Sequence, residues 1–271
     1  MGRGWTVMGV VNVTPDSFSD GGLWLDPGAA IDHGAQLHAD GAAILDIGGE
    51  STRPGAEPVD GAEECRRVIP VLEGLRERAP GAVLSIDTSK LDVARAALQA
   101  GATYVNDVTA LRHDPGIAEL VAEAGIDCCL MHMQGEPRTM QDDPRYDDVV
   151  DDVRAFLEER AGFAIAAGVA PERIQVDPGI GFGKSLEHNL ALLRRLDEIA
   201  ALGFPVVIGV SRKRFLGALT GREVAADRVA ASVAANVLAY ERGARVFRVH
   251  DVAPTVDALK VAAGTLPGDD A

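Results

Sequence analysis

The chain is poor in basic residues, in cysteine and in long apolar runs, and each shortage removes a class of function. Lys and Arg total 26 against 41 Asp and Glu, a formal charge of −15. A nucleic-acid binder needs a basic surface, so no nucleic-acid partner is expected. The same imbalance means that an anionic ligand would need locally concentrated positive charge. Cys65, Cys128 and Cys129 are the only cysteines and lack metal-ligand spacing. They read as reduced structural thiols of a cytoplasmic protein. No apolar run reaches the roughly 18 residues of a membrane span, so no membrane partner is expected. The opening MGRGWTVMGVVNV runs directly into a strand without a secretory apolar region. No GxGxxG follows that strand, and no linker or low-complexity segment divides the chain.

What the chain does have is a repeating pattern. Eight short apolar runs follow one another: VMGVVNV (7–13), AILDIGG (43–49), VLSIDT (83–88), YVNDVT (104–109), CCLMHM (128–133), IQVDPGI (174–180), PVVIGVS (205–211) and VFRVHD (246–251). Helical periodicity separates them. Val68, Ile69, Leu72 and Leu75 make one stripe over 60–78, and Val149, Val153, Phe156 and Leu157 another over 146–167. Segments 186–202 and 226–242 read similarly. Gly101, Gly125 and Gly243 suit helix ends that need positive φ. Near-continuous apolar strands fit a parallel sheet covered on both faces. The expectation is an α/β protein: a single (β/α)8 TIM barrel over 1–271, with a frayed tail from about 264.

Active sites of such barrels lie at the C-terminal ends of the strands. Each of the eight runs ends in polar residues there. In order these are Asn12, Asp46, Asp87, Asn106 with Asp107, His132, Asp177, the SRKR of 211–214, and Arg248 with His250 and Asp251. Buried acids and bases are costly unless paired, so their clustering points to a ligand site. Side chains two apart share a strand face. Arg248 and His250 therefore point together, with Phe247 and Val249 opposite. Phosphates bind near the last two strands of such barrels, so Lys213 after strand seven is placed to join them around an anion, and Arg53 in the loop after strand two is expected to close over the top. Asp87 and Asp177 offer acceptors and Asn106 both donates and accepts, a set suited to a planar heterocycle with an amino group, a ring N–H and a carbonyl.

Read in order, VNVTPDSFSDGG, DIGGESTRPGA, SIDTSK, NDV, MHMQGEPRTMQ, DPGIGFGK, SRKRFLG and RVHDV resemble the signature of the bacterial dihydropteroate synthases, a pterin-binding enzyme family. The resemblance covers about Met8 to Val252. It implies joining of 6-hydroxymethyl-7,8-dihydropterin diphosphate to para-aminobenzoate, with release of pyrophosphate, in folate synthesis at a sulfonamide-sensitive site. By motif, Asp87, Asn106, Asp177 and Lys213 would bind the pterin. Asn12, Thr52, Arg53, Arg248 and His250 would serve the diphosphate and a Mg²⁺ held by Asn12. Phe18, Pro54, Phe182 and Lys213 would shape the para-aminobenzoate pocket. Asp87, Lys213, Arg248 and His250 would carry catalysis, by an SN1-like displacement. The loops after strands one and two would close over the bound substrate. A homodimer is implied by the resemblance alone. Two alternatives stay open: a pterin-binding methyltransferase and a non-catalytic pterin-binding paralogue.

Other residues take plainer roles. Asp46 is expected to fix the second loop, His132 to orient the loop that follows it, and Met131 and Met133 to pack. The acidic run 142–152 reads as a solvated helix start. Arg214 stands where many members of the family carry a small Ser, beside the expected para-aminobenzoate pocket.

Overall fold

The computed structural model describes residues 4–14, 26–51 and 56–265. Eight parallel strands close in chain order into a barrel, with β8 pairing back to β1. The strands are β1 (Thr6–Asn12), β2 (Ile44–Gly48), β3 (Val83–Asp87), β4 (Tyr104–Asp107), β5 (Asp127–Met131), β6 (Ile174–Asp177), β7 (Val206–Ile208) and β8 (Ala244–Val249). The helices around them are α1 (Pro27–Ala39), α2 (Gly61–Arg78), α3 (Leu91–Ala100), α4 (Gly116–Ala124), α5 (Val149–Ala166), α6 (Leu186–Arg194), α7 (Leu196–Ala200), α8 (Arg214–Thr220), α9 (Val229–Glu241) and α10 (Val252–Thr265).

Local chemistry sets the boundaries. Asp26, Asp60 and Asp148 accept from backbone N–H groups at the starts of α1, α2 and α5. Asp148, Asp151 and Asp152 place the acidic run at a helix N-terminus, as its charge favours. Ser185 and His188 form a reciprocal capping box on α6. Gly101 and Gly125 end α3 and α4 in the left-handed region. Two expected elements differ. The segment 186–202 is two helices broken at Arg195, whose guanidinium is drawn to both Asp148 and Glu198. The run 205–211 yields only the three residues of β7, because a register shift falls at Val206/Val207 and the chain turns where Lys213 N–H reaches Val210 O.

Alternation along each strand separates two environments. Val7, Val11, Leu45, Ile47, Ile86, Leu130, Phe247 and Val249 face outward into the main core beneath the helices. Met8, Ile44, Tyr104, Cys129, Val207 and Val246 form a separate cluster inside the barrel. Tyr104 O–H donates there to Gln175 Oε1 at 2.9 Å. This is a floor. Asp46, Asn106 and Arg248 lie two residues further along their strands from Ile44, Tyr104 and Val246, so they share the inward face one layer higher. Tyr104→Phe should remove one buried hydrogen bond and cost about 1–2 kcal/mol. Urea unfolding should report it as a lower midpoint at unchanged slope; an unchanged midpoint would contradict a packed floor held by this bond.

Candidate active site

Above the floor lies a charged layer drawn from four strands. Arg248 on β8 donates through Nε to Asp46 Oδ2 on β2 and through a terminal nitrogen to Asp87 Oδ2 on β3, each at 2.6 Å. Asp46 is fully buried. It also accepts from Ser85 Oγ at 2.6 Å and from Asn106 Nδ2 at 3.0 Å. An ionised carboxylate only accepts, so Asn106 must turn its amino group toward Asp46. Asp46 therefore does not fix the second loop, as the sequence suggested; its oxygens are consumed inside the barrel. Burial alone would lower the pKa of Arg248, but the facing carboxylates outweigh it and hold the guanidinium above its usual range. Burial pushes Asp87 up to about 7; Arg248 opposes the rise, and Asp46, Glu64 and Asp107 add to it.

A second group surrounds the loop after β6. Asp177 Oδ1 accepts from Gly179 N–H at 2.7 Å. Burial raises its pKa, against the pull of Lys213. Lys213 Nζ donates to Ile180 O and lies 4.5 Å from the centre of the Phe182 ring. Burial lowers Lys213 to about 8, with Asp177 opposing. The loop is caged by side chains. Beyond Ile180 O, Gln141 donates to Gly181 O (2.5 Å), Lys184 to Phe182 O (3.0 Å), Tyr146 to Gly183 O (2.7 Å) and Asn189 to Lys184 O (3.4 Å). Five consecutive carbonyls are thus each held by a different side chain. Gly179 has φ +67°, and a Cβ there would overlap His132 O. His132 is buried, and its Nδ1 meets Lys184 Nζ at 2.8 Å. Burial and the neighbouring Lys184 drive its pKa to about 2. It remains neutral and braces the loop after β6, rather than orienting its own. Phe182 packs against Val108, Met131, Met133 and Met140, the packing role expected of the two methionines.

The third group closes the far side. Ser211 Oγ accepts from His250 N–H at 3.2 Å and lies 3.1 Å from His250 Nδ1. Arg212 has φ 58° and is gripped bidentately by Asp251 at 2.7 and 3.0 Å. That ion pair keeps the turn in a conformation a non-glycine residue rarely adopts. These groups meet at a cavity of about 730 Å³, lined by Asn12, Asp87, Phe182, Lys213, Arg248 and His250 among others. Asn106 and Asp177 are buried and do not themselves line the cavity; Asn106 pairs in the sheet with Asp87, which does. Exposed Arg214 also lines the cavity, at the first turn of α8. Phe18, Thr52, Arg53 and Pro54, with the loop closure expected of the segments that carry them, lie outside the described residues. Sequence reasoning did not single out Lys184, Gln141, Tyr146 or Asn189. Lys184 and Gln141 both stood inside quoted motifs, and the missing signal was the partners their side chains reach.

The bonds already made determine what is left. Asp87 Oδ1, Asn106 Oδ1 and Asp177 Oδ2 take no hydrogen bond among the described residues. The site therefore presents three acceptors, with the Lys213 ammonium as a donor beside them. In the free protein, Asp87 binds a proton at a pH where the unfolded chain has released it. Its contribution to stability is therefore present at low pH and lost as pH rises from about 4 toward about 7. Carboxyl ¹³C NMR should show one Asp titrating near 7, absent in Asp87→Asn; a titration near 4 for Asp87 would contradict the burial argument.

Comparison with known proteins agrees with this geometry. Residues 8–250 match the family described as Pterin binding enzyme. The dihydropteroate synthase of Neisseria meningitidis serogroup B is 52% identical over 261 residues, spanning 94% of this chain and 90% of the relative. The Xanthomonas albilineans dihydropteroate synthase solved with 4-aminobenzoic acid has a TM-score of 0.90 at 53% identity, covering 98% of this chain and 95% of that one. The structure of the same organism's enzyme in complex with 7,8-dihydropteroate has a TM-score of 0.86 at 50% identity, with the same coverage. A closed eight-stranded barrel, a cavity at its strand ends and this degree of likeness place the chain in the pterin-binding enzyme family, among the dihydropteroate synthases.

Proposed function

We propose that the chain is a dihydropteroate synthase. It joins 6-hydroxymethyl-7,8-dihydropterin diphosphate to para-aminobenzoate and releases pyrophosphate. The observation that carries this reading is the division of the site into open acceptors and cations. A dihydropterin offers an amino group and ring N–H donors to Asp87, Asn106 and Asp177, and its carbonyl accepts from Lys213. The diphosphate then meets Arg248 and His250 at the end of β8. Thr52 and Arg53 join it by motif. Phe182 and Lys213, with Phe18 and Pro54 by motif, bound the para-aminobenzoate side, where sulfonamides would compete. Arg214 borders the same cavity and is the residue to substitute first if drug affinity is unusual.

The Asn12 side chain makes no hydrogen bond among the described residues and lines the same cavity as Arg248 and His250. It offers one neutral oxygen, and no cluster of three or more His, Cys, Asp or Glu suited to a metal exists among the described residues. That donor set fits Mg²⁺, which takes few protein ligands and keeps substrate oxygens and water. The ion would supply neutralising charge to the diphosphate. The chain's own residues do the rest. Arg248 and His250 stabilise charge gathering on the departing pyrophosphate. The C–O electron pair leaves with it, giving a pterinylmethyl cation. Asp87 and Asp177 stabilise that cation across a desolvated site. The lone pair of the para-aminobenzoate nitrogen forms the new C–N bond, and its proton is lost to solvent.

The reading extends to a single domain and a homodimer, the latter from the resemblance alone. It also extends to the cytoplasm: no helix among the described residues is long and apolar enough to cross a membrane, and the cysteines are free thiols. Pyrophosphate release should require both substrates, and Arg248→Ala should slow it about 100-fold or more. Tight pterin binding with no amine-dependent release would instead favour a methyltransferase or a non-catalytic paralogue.

A further inference from the structure

Asp46 has no free oxygen and no exposed surface, yet three strands converge on it. Oδ1 takes Ser85 Oγ; Oδ2 takes Asn106 Nδ2 and Arg248 Nε. We infer that Asp46 is a positioning residue that sets the hydrogen-bond polarity of the pterin site and ties it to the diphosphate site. The inference rests on the function proposed above.

Asp46 acts through two partners. An Asn side chain can present either its oxygen or its amino group, and the two differ by a half-turn of one torsion. Asp46 accepts the amino group and so leaves Asn106 Oδ1 as the face offered to a ligand. Without that acceptor, the amide is free to turn its donors toward the donors of the pterin, which repel them. Arg248 is the second partner. Asp46 holds its Nε, which aims a terminal nitrogen at Asp87 Oδ2 and leaves Asp87 Oδ1 open. One carboxylate thus fixes two of the three acceptors, and it holds the cation that the leaving group needs. Ser85 fixes the remaining oxygen and with it the rotation of the carboxylate.

The charge of Asp46 has its own consequence. Asp87 faces Arg248 from β8, Asp46 from β2, Asp107 from β4, and Glu64, paired with Lys90, from α2. Removing the Asp46 charge relieves a repulsion on Asp87. It also frees Arg248 to serve Asp87 alone. Both changes favour ionised Asp87 and move its titration to lower pH.

The test is calorimetric binding of 6-hydroxymethyl-7,8-dihydropterin diphosphate with Mg²⁺ on both sides of neutral pH. The chains compared are the unsubstituted protein, Asp46→Asn and Ser85→Ala. Binding to the unsubstituted protein should weaken as pH falls through about 7, where Asp87 takes up a proton. In Asp46→Asn the affinity above that pH should fall about tenfold or more. The midpoint of the pH dependence should move down, and the KM for para-aminobenzoate should stay close to its starting value. Ser85→Ala, which keeps the charge and loosens only its orientation, should weaken pterin binding without moving the midpoint. It carries the test if Asp46→Asn does not fold. Equal affinity and an equal midpoint in Asp46→Asn, or undiminished affinity in Ser85→Ala, would overturn the inference and leave the proposed function standing. No binding by the unsubstituted protein would overturn both.

Discussion

A guanidinium inside a barrel must be neutralised where it stands, because a buried charge without a partner costs several kcal/mol. Arg248 meets that condition by taking one carboxylate from β2 and one from β3, far from it in the chain. The pairing exists only when β8 closes against β1, so the charged layer and the closed barrel form together. The polarity of this side of the site follows from the arrangement. Asp46 is spent on it, Asp87 is half spent, and Asn106 is turned by it. The acceptors that remain are those the buried pairing left over.

The opposite wall solves a different problem. The loop after β6 has to bring backbone close to the cavity, and its carbonyls would go unpaired in a dry site. Five side chains take those carbonyls one by one, and two glycines, Gly179 and Gly183, allow the close approach to His132 and Gln134. The cage costs the protein a buried lysine. Lys184 is held far below its ordinary pKa by burial, and it gives its nitrogen to His132 and Phe182. The result is a rigid seat for Phe182 and Lys213. Arg212, Lys213, Arg214 and Arg248 line the cavity of an otherwise acidic chain, a local positive charge of the kind an anionic substrate requires.

Much of this was legible in the amino-acid order. The eight apolar runs became the eight strands, and strand parity placed Arg248 on the inward face and Phe247 and Val249 on the outward one. Asn12, Asp87, Lys213, Phe182, Arg248 and His250 meet at one cavity, while Asn106 and Asp177 are buried and do not line it. Asp46 was misread for a physical reason. It precedes a long polar loop, and local sequence suggests a local partner; its real partners lie on β3, β4 and β8. Lys184 was missed likewise, because nothing in GFGK reveals that its amine is buried. Arg195, where the helix breaks, pairs with Asp148, 47 residues away, and no periodicity could show that pairing. Short-range chemistry was readable, and long-range pairing was not.

The most direct measurement is a crystal structure of the protein with a bound 7,8-dihydropterin diphosphate. The account predicts ring donors on Asp87 Oδ1, Asn106 Oδ1 and Asp177 Oδ2, the pterin carbonyl on Lys213, and Arg248 still bonded to Asp46. A pterin seated elsewhere, or one bound with the Asn106 amino group turned toward it, would contradict it.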